Sequence, residues 1–203
     1  MPRLEVDLAP KRPGRLVLKN PVMTASGTFG FGTEYGGLAE VERLGAVTSK
    51  GVTLNPRIGN AAPRVCETPA GMLNSVGLPN VGVRRVIEEM APVWRTWPVP
   101  VIVNLAGETV EEYGEAAALL DRVPEVAALE LNVSSPNSKG MGMAFGASPE
   151  IAAEVTALVR SRTELPVLVK LTPNVGQIVP IARAVADAGA DAISLINTLL
   201  AMA

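Results

Sequence analysis

At 203 residues, with 48% apolar but only 3% aromatic residues, the chain can bury one sizeable core built of Ala, Val and Leu rather than of large rings. A formal net charge of −2 without a long basic run argues against an electrostatic nucleic-acid binder, and no apolar run approaches the length of a membrane span. Cys66 is the only cysteine and histidine is absent, which excludes a disulfide framework, a multi-cysteine or histidine-ligated metal site, a Ser-His-Asp triad and a histidine general base.

The N-terminus, Met-Pro-Arg-Leu-Glu, carries no apolar signal core, so a cytoplasmic location is expected. From there strand-like and helix-like segments alternate. Residues 22–25 read as a short apolar strand ending in Ser26-Gly27, and 35–44 as a helix stopped at Gly45. Residues 46–49 form the next strand, ending in Lys50-Gly51. Residues 81–94 have helical spacing, 101–105 are a β-branched strand, and 110–120 are a helix with Thr109 as its cap. Residues 129–133 are a strand. Ser148-Pro149-Glu150 combines a cap, a proline and an acid at the start of a helix running to about 160. Residues 167–171 are a strand, and 178–188 a helix that tolerates Pro180 because it lies near the start. Residues 193–196 are the last strand.

The six strands are nearly continuous apolar runs, as in a parallel sheet covered on both faces. Each is followed by a polar or glycine cluster: Ser26-Gly27, Lys50-Gly51, Asn104, Asn132 to Ser135, Lys170, and Asn197-Thr198. All six should face one end of the sheet, the end where a parallel α/β barrel does its chemistry. The segment 53–80 breaks the rhythm. It is too long for an ordinary βα loop, and it is expected to be an excursion, with a small hairpin, leaning over the site.

Each cluster also has a plain reading. Ser26-Gly27 is a backbone that a flat ligand can approach, or an ordinary tight turn. Lys50 and Lys170 are surface lysines, or cations held at the ligand end of buried strands and matched by an acceptor. Asn74, Asn104, Asn132, Asn137 and Asn197 are turn amides, or donors and acceptors for a planar polar ligand. Ser135 is a turn hydroxyl, or a general base with a path for its proton. Cys66, beside Glu67, lacks the electropositive setting of a reactive thiol and reads as an unremarkable cysteine.

Five ordered stretches resemble the dihydroorotate dehydrogenase family over essentially the whole chain. They are Asn20-Pro-Val-Met-Thr-Ala-Ser-Gly-Thr-Phe-Gly, Thr53-Leu-Asn-Pro-Arg-Ile-Gly-Asn, Glu67-Thr-Pro-Ala-Gly-Met-Leu-Asn-Ser-Val-Gly-Leu-Pro-Asn, Glu130-Leu-Asn-Val-Ser-Ser-Pro-Asn and Ser194-Leu-Ile-Asn-Thr. The resemblance implies a single FMN-binding (β/α)8 TIM-barrel domain over 1–203 with a lid loop at about 53–80. It implies oxidation of dihydroorotate to orotate in pyrimidine biosynthesis. Ala25, Ser26 and Gly27 would wall the FMN ring, Asn104 would contact FMN, and Lys50 and Asn132 would lie near both FMN and substrate. Lys170 would stabilise the reduced, anionic flavin. Asn74, Gly77, Leu78, Asn137, Asn197 and Thr198 would hold the substrate. Ser135 would take the proton from carbon 5 while a hydride leaves carbon 6 for the flavin.

The loop at 53–60 and the run at 71–78 look most like the soluble, NAD-linked form, which pairs with an electron-transfer subunit carrying FAD and a 2Fe-2S cluster and assembles as a homodimer or heterotetramer. That form usually carries cysteine at the base position, where this chain has Ser135, as in the quinone-reducing form. The acceptor (NAD, fumarate or quinone) therefore stays open. A complete barrel of this kind needs about 250 residues and eight strands. Six are counted here, so the chain is expected to be a C-terminally truncated piece without the phosphate loop. The alternatives are another flavin-dependent dihydropyrimidine oxidoreductase, or a non-catalytic fragment lacking the FMN phosphate site.

Overall fold

A computed structural model describes residues 4–13, 15–35, 40–133 and 142–202, with the backbone alone for 142–144. The chain opens with an antiparallel hairpin, β1 (Val6–Asp7) and β2 (Val17–Leu18), which sequence periodicity had not marked. After β3 (Val47–Thr48) comes a second hairpin, β4 (Val65–Thr68) and β5 (Gly71–Asn74), which is the small hairpin expected within 53–80. Then follow β6 (Val101–Leu105), β7 (Val126–Asn132), β8 (Val167–Lys170) and β9 (Ala192–Ser194).

Strands β3, β6, β7, β8 and β9 make one parallel sheet in that order, each beside its neighbour in sequence. The crossovers carry the helices. α1 (Val83–Arg85), a π turn (Val86–Met90) and α2 (Ala91–Trp94) run on before β6; Pro92, at the start of α2, lacks the N–H that would close a regular turn onto the preceding residues. α3 (Val110–Leu120) precedes β7, α4 (Gly142–Ala147) and α5 (Pro149–Arg162) precede β8, and α6 (Ile178–Asp187) precedes β9. This is the wall of a (β/α) barrel over part of its circumference.

Two expected elements take another form. Residues 22–25 form no strand ladder but a single parallel bridge, Met23 to Ala46. The Thr48 N–H there donates to the Thr24 hydroxyl at 2.8 Å instead of to a carbonyl, so the neighbour of β3 is stitched by a side chain. The helix expected over 35–44 appears as 3-10 turns at Thr33–Tyr35 and Val41–Arg43, with 36–39 outside the described residues. The consecutive glycines Gly36 and Gly37 make that stretch a poor helix former.

The strand period of two sorts the side chains into layers. Val101, Val103, Leu105, Leu129, Leu131, Val167 and Val169 face the helices and share one core with Tyr113, Ala116, Val155, Val159, Ile181 and Val185. On the opposite face Ile102, Ala128 and Leu168 pack with Ala46 and with Ala9, Leu16 and Leu18 around the N-terminal hairpin. That hairpin is the apolar floor of the barrel interior. One step of two further along the same face, Ile102 gives way to Asn104, Ala128 to Glu130 and Asn132, and Leu168 to Lys170. The interior is therefore apolar at its floor and polar at the strands' C-terminal ends.

Helix starts are fixed as the sequence indicates. Thr109 Oγ1 accepts from the Glu112 N–H at 3.2 Å, and Ser148 Oγ from the Ile151 N–H at 3.3 Å. Two side chains tie α3 to its surroundings. Tyr113 is fully buried, meets Phe145 edge-on at 5.9 Å, and donates its hydroxyl to the Asn132 carbonyl at 2.8 Å. Burial pushes its phenol pKa far up, so it stays a donor. Tyr113→Phe should lower unfolding stability by about 1–3 kcal/mol, because it leaves a buried carbonyl short of its donor. An unchanged urea midpoint would contradict this.

Asp121, closing α3, accepts from Thr163 Oγ1 at 2.6 Å and from the Glu164 N–H at 2.7 Å. Burial raises its pKa, but these bonds and the Arg160 charge outweigh it, and the net shift is below 3.8. A carboxylate depressed in the folded state stabilises above its unfolded pKa, and that contribution is lost as pH falls through the folded value. Asp121→Asn should therefore flatten the acid limb of the stability profile below about pH 4 while changing its slope little near neutrality. An unchanged acid limb would count against it.

Candidate functional site

The polar ends of the strands open into one cleft of about 630 Å³. Its floor is set by β6, β7 and β8. Asn104 and Glu130 are register partners across β6 and β7, Asn132 and Lys170 across β7 and β8, and Lys170 and Ser194 across β8 and β9. Lys170 is 8% exposed and donates from Nζ to the Ser26 hydroxyl at 2.9 Å, joining β8 to the turn after residues 22–25. Lys50 follows β3; its backbone N–H is held by the Gly30 carbonyl at 2.7 Å, and its ammonium stands 6.0 Å from the Phe31 ring centre.

The amides are linked to one another. Asn132 donates to Asn104 Oδ1 at 3.4 Å, and Asn197 donates to Asn132 Oδ1 at 3.0 Å. Asn197 Oδ1 in turn accepts from the backbone N–H of Thr198 at 2.6 Å and from its hydroxyl at 3.1 Å. Gly27 borders the cleft with φ +84°, and among the described residues nothing stands within 4 Å of where its Cβ would be. That leaves a bare backbone patch beside open space.

The β4–β5 hairpin contributes the opposite wall, with Val65, Met72 and Asn74 on the lining and Val76, Leu78 and Pro79 from the irregular segment after β5. Its base is pinned by buried Asn80, whose Oδ1 accepts from the Thr53 N–H and the Gly82 N–H, and whose Nδ2 donates to Thr53 Oγ1 and the Leu78 carbonyl. Leu78 has φ +54°, a conformation that costs a non-glycine residue about 1–3 kcal/mol and persists only where its surroundings enforce it.

Of the residues singled out by sequence, the cleft gathers Ser26, Gly27, Lys50, Asn74, Leu78, Asn104, Asn132, Lys170, Asn197 and Thr198. Ala25 and Gly77 are not on its lining. Ala25 offers its carbonyl to Thr28, and Gly77, with φ +80°, passes so close to Asn60 that a Cβ would stand 2.7 Å from that residue's backbone nitrogen. Ser135 and Asn137 lie outside the described residues. Cys66 is exposed, off the lining, and donates to the Glu67 carbonyl. The sequence reading passed over Glu130, which is 4% exposed and lies beneath the cleft's lining. Its signal was present: an acid two residues before Asn132, on the same strand face. The described lining carries two ammonium groups and no carboxylate, so the cleft favours an anionic ligand.

A sequence profile of the dihydroorotate dehydrogenase family matches residues 12–203. The chain is 53% identical over 202 residues to a dihydroorotate dehydrogenase B (NAD(+)) catalytic subunit of Geotalea uraniireducens, covering 100% of this chain and 65% of that protein. A Geobacillus protein of the same name is 54% identical over 202 residues, covering 100% of this chain and 63% of the relative. The chain thus spans about two thirds of the length of the curated relatives it matches. Among solved structures, a DHODH from Eimeria tenella in complex with ferulenol superposes with a TM-score of 0.83 at 19% identity, covering 100% of this chain and 61% of that one, a likeness of fold. Among the described residues, no helix is long and apolar enough to cross a membrane.

Proposed function

The chain belongs to the dihydroorotate dehydrogenase family, and from that premise we propose that its strand-end cleft oxidises dihydroorotate to orotate in de novo pyrimidine biosynthesis, with FMN as cofactor. The observation that carries the reading is the cleft lining: two ammonium groups without a carboxylate, a fan of linked amides, and the bare Gly27 backbone. These residues fit a flavin, a flat group whose edge both donates and accepts hydrogen bonds. When bound, the flavin supplies the two-electron acceptor that no side chain can provide.

The protein's own groups do the rest. Ser26 and Gly27, with Ala25 behind them, wall the flavin, and Asn104, Asn132 and Lys170 meet its polar edge. Lys50 offers a positive charge to both cofactor and the substrate carboxylate. Asn74, Gly77, Leu78, Asn132, Asn137, Asn197 and Thr198 orient the dihydropyrimidine, and Ser135 removes the proton from carbon 5. The lid loop at about 53–80, with the β4–β5 hairpin inside it, covers the ligand and keeps water from it. The whole of 1–203 acts as one domain. The relatives' names support an NAD-linked catalytic subunit; the family resemblance in the sequence adds a cytoplasmic location, self-association and an electron-transfer subunit that carries FAD and a 2Fe-2S cluster.

Steady-state assays with dihydroorotate and with dihydrouracil test the substrate. The two rings share the oxidised bond, but only dihydroorotate carries the carboxylate that Lys50 is placed to meet. Turnover confined to dihydroorotate is expected. Comparable turnover of dihydrouracil would transfer the reading to another flavin-dependent dihydropyrimidine oxidoreductase.

A further inference from the structure

Glu130 lies beneath the cleft rather than on its lining, and its carboxylate oxygens are both engaged. Oε1 accepts from Asn104 Nδ2 at 2.6 Å, and Oε2 accepts from the Ser194 hydroxyl at 2.7 Å. From Asn104 the bonds continue in one direction. Asn104 gives its amino group to Glu130 and its carbonyl oxygen to Asn132; Asn132 gives its amino group to Asn104 and its carbonyl oxygen to Asn197. Every amide in the row points its amino group toward Glu130 and its oxygen away from it.

An isolated asparagine has no reason to prefer one flip of its amide over the other, since both ends can bond. Here both ends of the row remove the choice: the Thr198 backbone N–H can only donate, so Asn197 meets it with Oδ1 at 2.6 Å, and Glu130 Oε1 accepts the row's last amino group. Facing an acceptor at Glu130, Asn104 presents its amino group, which leaves its oxygen to face Asn132. We propose that Glu130 is a positioning residue: it is the acceptor that closes the row begun at the Thr198 N–H, holds the amides of Asn104 and Asn132 in one flip, and so decides which cleft positions offer a donor and which an acceptor. This inference rests on the reading of the cleft as the FMN and dihydroorotate site. The Glu130–Asn104 and Asn104–Asn132 bonds are buried, and polar networks there are strong only when complete. Ser194, on β9, holds the second oxygen and keeps the carboxylate from turning.

The role requires an acceptor at this point and not a charge as such, which separates two variants. Glu130→Met keeps most of the volume and removes the acceptor. Glu130→Gln keeps a carbonyl oxygen that can face Asn104, while the Ser194 hydroxyl turns to accept from the new amino group. FMN affinity, read by quenching of flavin fluorescence, should fall about tenfold or more in E130M, the scale of a lost bond to a charged group, and recover to within about threefold of wild type in E130Q. In flavin-free protein, the side-chain amide protons of Asn132 should be protected from exchange in wild type and in E130Q but not in E130M, although they stand one residue beyond the removed acceptor. If E130M fails to fold, Glu130→Asp takes its place: its carboxylate is one methylene shorter and cannot reach both Asn104 and Ser194, so FMN affinity and Asn132 protection should both fall below those of E130Q. Wild-type affinity in E130M, equal loss in E130M and E130Q, or Asn132 protection that survives without the Glu130 acceptor would each overturn the proposal. Wild-type protein with protected amides but no FMN binding would sustain the positioning role and overturn the functional reading.

Discussion

Replacing Lys170 by methionine should lower the turnover of dihydroorotate by about 100-fold or more, with a smaller effect on the stability of the flavin-free protein. A positive group aimed at developing negative charge in a site shielded from water commonly contributes on the order of 100- to 1,000-fold. The role proposed above gives Lys170 that position. It ends β8 on the inner face, is nearly buried, and is steered by Ser26 Oγ at 2.9 Å. Methionine matches the length of the stem and keeps its packing, so the lost rate reports the ammonium alone. The bound flavin should also become harder to reduce, its potential moving to more negative values. A variant that keeps full turnover would show that the β8 lysine serves only to tie the Ser26 turn to the sheet.

Gly27→Val should abolish measurable FMN retention, a loss of about 100-fold or more in affinity. Two effects combine. At φ +84° a β-branched side chain is strained by about 1–3 kcal/mol, and with nothing among the described residues within 4 Å of the Cβ position its methyl groups stand in the cleft. The flavin-free protein should lose little beyond the strain, because no described atom is displaced. Gly27→Ala, with the smaller group, should bind FMN with an intermediate affinity. Equal binding by glycine, alanine and valine forms, followed by titration, would place the ligand's ring elsewhere.

Much of the fold could be read from the chain because its strands and helices differ in period. β6 and α3 carry the limits expected of them, since Val101–Leu105 is a β-branched run and Thr109 is a capping residue whose hydroxyl does accept the bond. The N-terminal hairpin was not legible: β1 and β2 are two residues each, too short for any period, and they are held by contact with Ala46, Ile102, Ala128 and Leu168 far along the chain. The bridge at Met23 was misjudged as a strand because Thr24 spends its hydroxyl on the Thr48 N–H, a side-chain bond that an apolar run does not reveal.

The site divides in the same way. Lysines and asparagines after apolar strands stood out as breaks in pattern, and the parallel sheet together with the β4–β5 hairpin and the turn after Met23 brings ten of the residues singled out onto one cleft. Glu130 did not stand out, because an acid inside a strand reads as an interruption until its register partner Asn104 is known. The strained Leu78 and the Asn80 hub beneath it depend on bonds from Thr53 to Gly82, and no local rule links those positions.

The central claim is that this cleft binds a flavin and that dihydroorotate reduces it there. The most direct test is an anaerobic visible spectrum of the purified protein after incubation with FMN and removal of unbound flavin, before and after dihydroorotate is added. The account predicts a retained flavin band that bleaches on addition of dihydroorotate and not of dihydrouracil. A protein that retains no flavin, or one whose flavin band is unchanged by dihydroorotate, would contradict it.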